Sequence, residues 1–281
     1  MSSHLSKFFD PRTAPAVTSA GQMVPTVRQT RQMRLNFVLL LPPSEGKAEG
    51  GRPGTKWRPK SGTFGLKLGA RRGEVAAALA AEGGGNAALL GVGGRHLKRA
   101  QAANRGVVGA LTLPAAERYT GVVWEHLDLA GMTAAQRERA LARIIVLSGL
   151  TGASLASDPV PDYRLKMGVR PPGFSGTLAR WWRDAVSDAV NDYARGCIVI
   201  DLLPTEHRAA YSPDPFLDVD HVIVDLVTSN GRAGGHDAKA AKGRLARHLL
   251  LTTPMIASRK GLMTAIEKFS DGAFRVVTKV N

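Results

Sequence analysis

The chain has 281 residues, 44% hydrophobic and 6% aromatic, with 38 Lys and Arg against 23 Asp and Glu, a formal charge of +15 and a single cysteine. That length builds a core without covalent staples. One cysteine excludes an internal disulfide framework, no apolar run approaches the ~20 residues that span a bilayer, and the cationic excess points to phosphate-bearing partners.

Residues 1–34 mix Ser, Thr, Pro and Gln with five Lys or Arg and one Asp, and they hold no sustained period. They read as a disordered basic extension, and a single domain is expected over 35–281. Five short β-branched runs read as strands: 35–41, 143–147, 197–203, 221–227 and 274–278. Between them lie helical patterns at 134–142, 177–193 and 237–251. In the second, Leu178, Trp182, Ala185, Ala189 and Tyr193 share a stripe, and Thr177 suits the N-cap. Asp237 suits the N-cap of the third, which reads as the last helix. Alternating strand and helix give the expected fold class, α/β, a mixed sheet with helices covering it. Cys197, in an apolar run, reads as a small buried hydrophobe, and the whole profile fits a cytoplasmic protein without a membrane partner.

The charge is uneven. Residues 36–110 carry 12 Lys or Arg and 4 acids, and residues 231–260 carry 7 and 1, so these zones hold +8 and +6. Within the first, Leu41-Pro-Pro-Ser-Glu-Gly-Lys47 leaves a strand end with Ser44, Lys47 and backbone amides available to an anion. It lacks the glycine spacing of a Walker loop, and an ordinary surface turn fits it too. Leu90-Gly-Val-Gly-Gly-Arg-His-Leu-Lys-Arg99 resembles the hairpin of a helix-hairpin-helix element. There Gly91 and Gly93 would let the backbone approach a DNA phosphate, with Arg95 and Lys98 adding charge. A plain Gly-rich connector is the competing reading.

Three shorter motifs follow: Tyr119-Thr120-Gly121 before a helix through Trp124, Ser148-Gly-Leu-Thr-Gly152 leaving a strand, and Tyr163-Arg-Leu-Lys-Met-Gly168. Arg164 there suits either a bidentate clamp on an anion or a pin for its own loop. Finally, His236-Asp-Ala-Lys-Ala-Ala-Lys-Gly-Arg-Leu245 opens a helix with Lys239, Lys242 and Arg244 near an end that the dipole already makes positive, a placement that an anion would explain.

In this order and spacing the motifs at 40–48, 119–121, 147–150, 163–168, 199–202 and 241–245 resemble the YaaA family of peroxide-stress proteins. The resemblance implies a compact α/β protein with a positively charged cleft. It also implies binding of duplex DNA with little sequence preference through a helix-hairpin-helix element, and a role in limiting oxidative damage. The chain departs from that pattern at Thr151, where an aromatic is usual, at Leu155-Ala156, where Arg-Pro is frequent, and at Pro204 and His207, where Ser and Tyr are common.

Two functions follow. One is a nucleic-acid-binding stress protein. The other is an enzyme, in a specialised pathway, acting on an anionic nucleotide- or nucleobase-like molecule. For the enzyme, Lys47, Tyr119, Ser148, Tyr163, His236 and Lys239 are the candidates for proton transfer or nucleophilic work. Ser44, Thr120, Arg164, Lys242, Arg244, Gly91, Gly93, Arg95 and Lys98 are the candidate phosphate or substrate contacts. Scattered histidines and one cysteine predict no metal, although Asp201, Glu206 and His207 could meet in space, and no motif predicts a cofactor.

Overall fold

A computed structural model describes residues 36–216, 220–228, 235–252, 256–269, 271 and 274–280. The proposed extension at 1–34 lies outside them. Eight strands form: β1 Phe37–Leu41, β2 Thr112–Pro114, β3 Ile144–Ser148, β4 Gly152–Leu155, β5 Pro159–Pro161, β6 Ile198–Asp201, β7 Asp220–Thr228 and β8 Phe274–Val280. The main sheet has six strands in the order β4-β3-β1-β6-β7-β8, and β2 pairs with β5 in a separate ribbon. Strands β3, β1, β6 and β7 are parallel, whereas β4 and β8 run antiparallel at the two edges. The fold is α/β with a mixed sheet, as the alternating pattern implies.

Every residue of β1, β3 and β6 is buried. A strand covered on both faces is driven inside by continuous Val, Ile and Leu, each worth about 2 kcal/mol of burial. Strand β7 alternates instead, with Val222, Val224 and Leu226 buried and Ile223, Asp225 and Val227 half-buried. Edge strand β8 exposes Arg275 and Lys279, charges that discourage further pairing.

Ten helices accompany the sheet among the described residues: α1 Gly65–Ala81, α2 Ala87–Leu90, α3 Gly94–Arg105, α4 Ala115–Arg118, α5 Val122–Leu127, α6 Ala134–Arg143, α7 Leu178–Tyr193, α8 Thr205–Arg208, α9 Gly235–Leu251 and α10 Arg259–Glu267. Thr177 caps α7 by accepting from Arg180 N at 3.3 Å. The buried stripe of α7 runs through Leu178, Ala179, Trp182, Val186, Ala189 and Val190. Ala185 and Tyr193, expected on the same stripe, lie only partly buried at its margin.

Two expectations need correction. Helix α9 starts at Gly235, so Asp237 sits in its first turn and is not the cap. It is not the last helix, since α10 follows. Strand β4, made of small residues, and helix α1 carried no clear pattern in the sequence.

From β1 the chain proceeds to β3 on one side, and from β6 to β7 on the other. The carboxyl ends of β1 and β6 therefore flank the point where connections diverge, which in open α/β sheets is where ligands bind.

Candidate functional site

The loop leaving β1 is fastened from three directions. Trp124 of α5 donates its indole N–H to Pro42 O at 3.2 Å. Residues 46–48 run antiparallel to 118–120, with Ala48 N on Arg118 O and Thr120 N on Gly46 O, and Lys47 bridges Tyr119. A Cβ at Gly121 would stand 2.6 Å from the Ser44 Cβ, so only glycine lets the two loops touch. Arg118 is buried beneath them, donating to Ala48 O, to Gly50 O at 2.8 Å and to Val160 O at 3.2 Å.

This fastening sets Lys47 between two aromatic faces. Its Nζ donates to Ser44 O at 2.8 Å and lies 4.4 Å from the Tyr163 ring centroid and 5.6 Å from that of Tyr119. Among the described residues no carboxylate forms an ion pair with it. Burial lowers its ammonium to about 8; Asp162 opposes the shift and Arg164 reinforces it.

Beneath the lysine, the Tyr119 and Tyr163 hydroxyls are 3.0 Å apart, and the buried Ser148 hydroxyl beside them favours the ionised form of both phenols. Burial pushes Tyr163 up to about 12 and Tyr119 up as well, so both stay neutral phenols near pH 7. Ser148 also meets the Thr151 hydroxyl at 2.8 Å. Thr151, one of the departures from the family pattern, thus extends this hydroxyl cluster.

The opposite wall comes from α2, α3 and residues 163–168. Asn104, fully buried on α3, pairs with the Arg164 backbone through both amide atoms, at 2.9 Å each. Arg164 then donates to Leu90 O at 3.0 Å and to Glu45 at 2.9 Å, while Lys166 reaches Glu45 at 3.2 Å. Burial alone would raise the Glu45 carboxyl; these hydrogen bonds outweigh it and hold the group below its ordinary value. Between the walls lies a cleft of about 300 Å³ bounded by Lys47, Tyr163, Arg164, Asp162, Val92 and His96.

At the rim, Gly91 ends α2 with φ +62°, a left-handed conformation that favours glycine. Gly93 begins α3 without a side-chain cap. Gly91, Gly93, Arg95 and Lys98 are all exposed.

A second group gathers past β6. Lys242 donates to Leu202 O at 2.5 Å, and burial lowers it to about 8. His207 is pulled down to about 4, chiefly by burial and further by Lys242, and its Nδ1 is buried without a partner among the described residues. The three groups considered for a metal do not converge. Asp201 binds Leu203 N, Arg208 and His221, whereas Glu206 turns to Gly168 N at 2.6 Å. Segment 163–168 thus links the two groups, from Tyr163 at one to Gly168 at the other.

The fold therefore brings Ser44, Lys47, Thr120, Tyr119, Ser148, Tyr163 and Arg164 together. It leaves His236 and Lys239 exposed on the first turns of α9. Arg244 forms a forked pair with Asp271 at 2.8–3.1 Å, so two of the three cations at that helix start have partners within the chain. The glycine between them, Gly243, lets α9 approach α5, since a Cβ there would meet Val123 O at 2.4 Å. Glu45, Asn104 and Arg118 were not singled out from the sequence. Glu45 lies inside a quoted motif; Asn104 and Arg118 had no local signal.

Fold and site together define an α/β protein with a lysine-centred cleft at the carboxyl end of its parallel strands. Residues 39–276 match the family described as peroxide stress protein YaaA. A UPF0246 protein of Streptomyces coelicolor is 36% identical over 222 residues, 77% of this chain and 84% of its own length. Relatives in Corynebacterium glutamicum (32%, covering 77% and 86%) and Corynebacterium efficiens (30%, covering 83% and 92%) are similar over comparable spans. The chain belongs to the YaaA peroxide stress protein family. Among the described residues no helix is long and apolar enough to cross a membrane.

Proposed function

We propose that this protein holds duplex DNA by its phosphate backbone, with little reading of base sequence, through the Gly91–Gly93 turn and the first turn of α3. The observation that carries the reading is a helix start without a side-chain cap, exposed together with Arg95 and Lys98. The first amides of a helix have no acceptor within it, and its dipole makes that end positive. Gly93 has open space where a side chain would stand, so a phosphate oxygen can reach the backbone. Arg95 and Lys98, three residues apart, share one helix face and suit successive phosphates. The charge of +15 favours the encounter, and a protective role under peroxide stress agrees with the family's description.

The test is fluorescence anisotropy with several unrelated short duplexes at rising salt. All should bind with similar affinity at low salt and weaken steeply as salt increases. The Arg95→Ala/Lys98→Ala protein should bind each more weakly. Absence of duplex binding at low salt would end this reading.

A further inference from the structure

The 300 Å³ cleft behind the hairpin is too small for a duplex, and its volume matches the lower end of the range for small-ligand pockets. Lys47 enters from the β1 loop and Arg164 from the facing segment, while the α3 side presents the apolar Val92, Ala100 and Ala103 beside His96 and Arg99, the latter paired with Glu49 and Asp162. The placement of Lys47 suits a ligand better than a scaffold. The buried Arg118 beneath it is used up on four carbonyls. Lys47 has one carbonyl and two ring faces, and it opens into the cleft.

Glu45 marks where an anion sits. Its carboxylate is on an exposed loop, yet it reaches in to Arg164 at 2.9 Å and Lys166 at 3.2 Å. A carboxylate of the chain itself thus occupies the cationic end of the cleft.

We propose that this cleft is a binding site for a small organic anion, a phosphate or carboxylate carried on a flat, base-sized body. Lys47 and Arg164 hold the charge, the α3 wall covers the flat body, and Glu45 is the internal occupant that the ligand displaces. The site borders the duplex surface at Val92 and His96 but uses neither Arg95 nor Lys98.

Isothermal titration of the full chain with adenosine 5′-monophosphate, orotate, adenosine and inorganic phosphate tests it. The first carries a phosphate on a base-bearing body, the second a carboxylate on a base, and the last two supply each half alone. At least one of the first two should bind about tenfold tighter than adenosine and than free phosphate. Lys47→Met should weaken that binding by about tenfold or more. Glu45→Gln, at an exposed position that does not threaten folding, should strengthen it several-fold, because the internal competitor is gone. Arg95→Ala/Lys98→Ala should leave it unchanged, and duplex binding by the same proteins should show the reverse dependence. Equal binding of charged and uncharged ligands, or no binding of any, would overturn the proposal. So would insensitivity to both Lys47→Met and Glu45→Gln, or dependence on Arg95 and Lys98. None of these results would touch the duplex reading.

Discussion

The base of the cleft and its rim carry the same sign of charge in opposite surroundings. Lys47 lies between Tyr119 and Tyr163, stripped of much of its water and lowered to about 8. Arg95 and Lys98, on the helix that forms the cleft's other side, stand in solvent. A cation in water interacts weakly with any one anion and is screened by salt, so it serves a partner that offers many charges at once. A desolvated cation destabilises the empty protein and gains most from a single well-placed anion. One face thus suits a polymer, and the pocket behind it suits a small molecule.

The largest effect should come from removing what anchors the Lys47 loop. Arg118→Ala leaves the carbonyls of Ala48, Gly50 and Val160 without their donor, and should cost about 3–5 kcal/mol in denaturant unfolding. The Lys47 loop and the adjoining cleft should fail with it. Gly121→Ala, which sets a Cβ 2.6 Å from Ser44, should cost about 1–3 kcal/mol and disturb the cleft without altering the Gly91–Gly93 turn.

The next separates the regions by stability. The native chain holds the Lys47 proton less tightly than the unfolded chain, whose lysine keeps the ordinary value of 10.5. Between about 8 and 10.5 the unfolded state therefore binds more protons, and wild-type stability gains from Lys47 as pH rises through that window. Lys47→Met should be more stable than wild type at pH 7, on the order of 1 kcal/mol after discounting for solvent screening. That advantage should shrink as pH climbs toward 10.5 in melting experiments. Arg95→Ala/Lys98→Ala should change stability by less than about 0.5 kcal/mol, yet lower the slope of log affinity against log salt by about two. Gly93→Ala gives the smallest change: its backbone is extended and nothing lies within 4 Å of the added Cβ. Stability should move by a few tenths of a kcal/mol, with duplex affinity reduced a few-fold.

The sheet was legible because its buried strands are unbroken apolar runs. Phe37–Leu41, Ile144–Ser148 and Ile198–Asp201 announce themselves by composition alone. Strand β4, Gly-Ala-Ser-Leu, is buried by its neighbours and has no such signature. Helix α1 was hidden by three glycines and by Arg72, a charge on its buried face that bonds to the carbonyls of Thr151, Ala153, Pro59 and Ser61. Most of the cleft was readable as separate short motifs, since strand ends and the loops that follow them carry Lys47, Ser148 and Arg164. Which motifs converge depends on strand order, and that depends on pairing between distant segments. For the same reason Lys242 and Arg244 looked available in sequence, while the folded chain supplies Leu202 O to the first and Asp271 to the second.

Hydrogen exchange of the full chain with and without a short duplex is the most direct test of the division between rim and base. The account predicts slowed exchange at the amides of residues 93–96 when duplex is added at low salt, with the protection removed by salt. Protection centred on the Lys47 loop or on α9, with residues 93–96 unchanged, would contradict it.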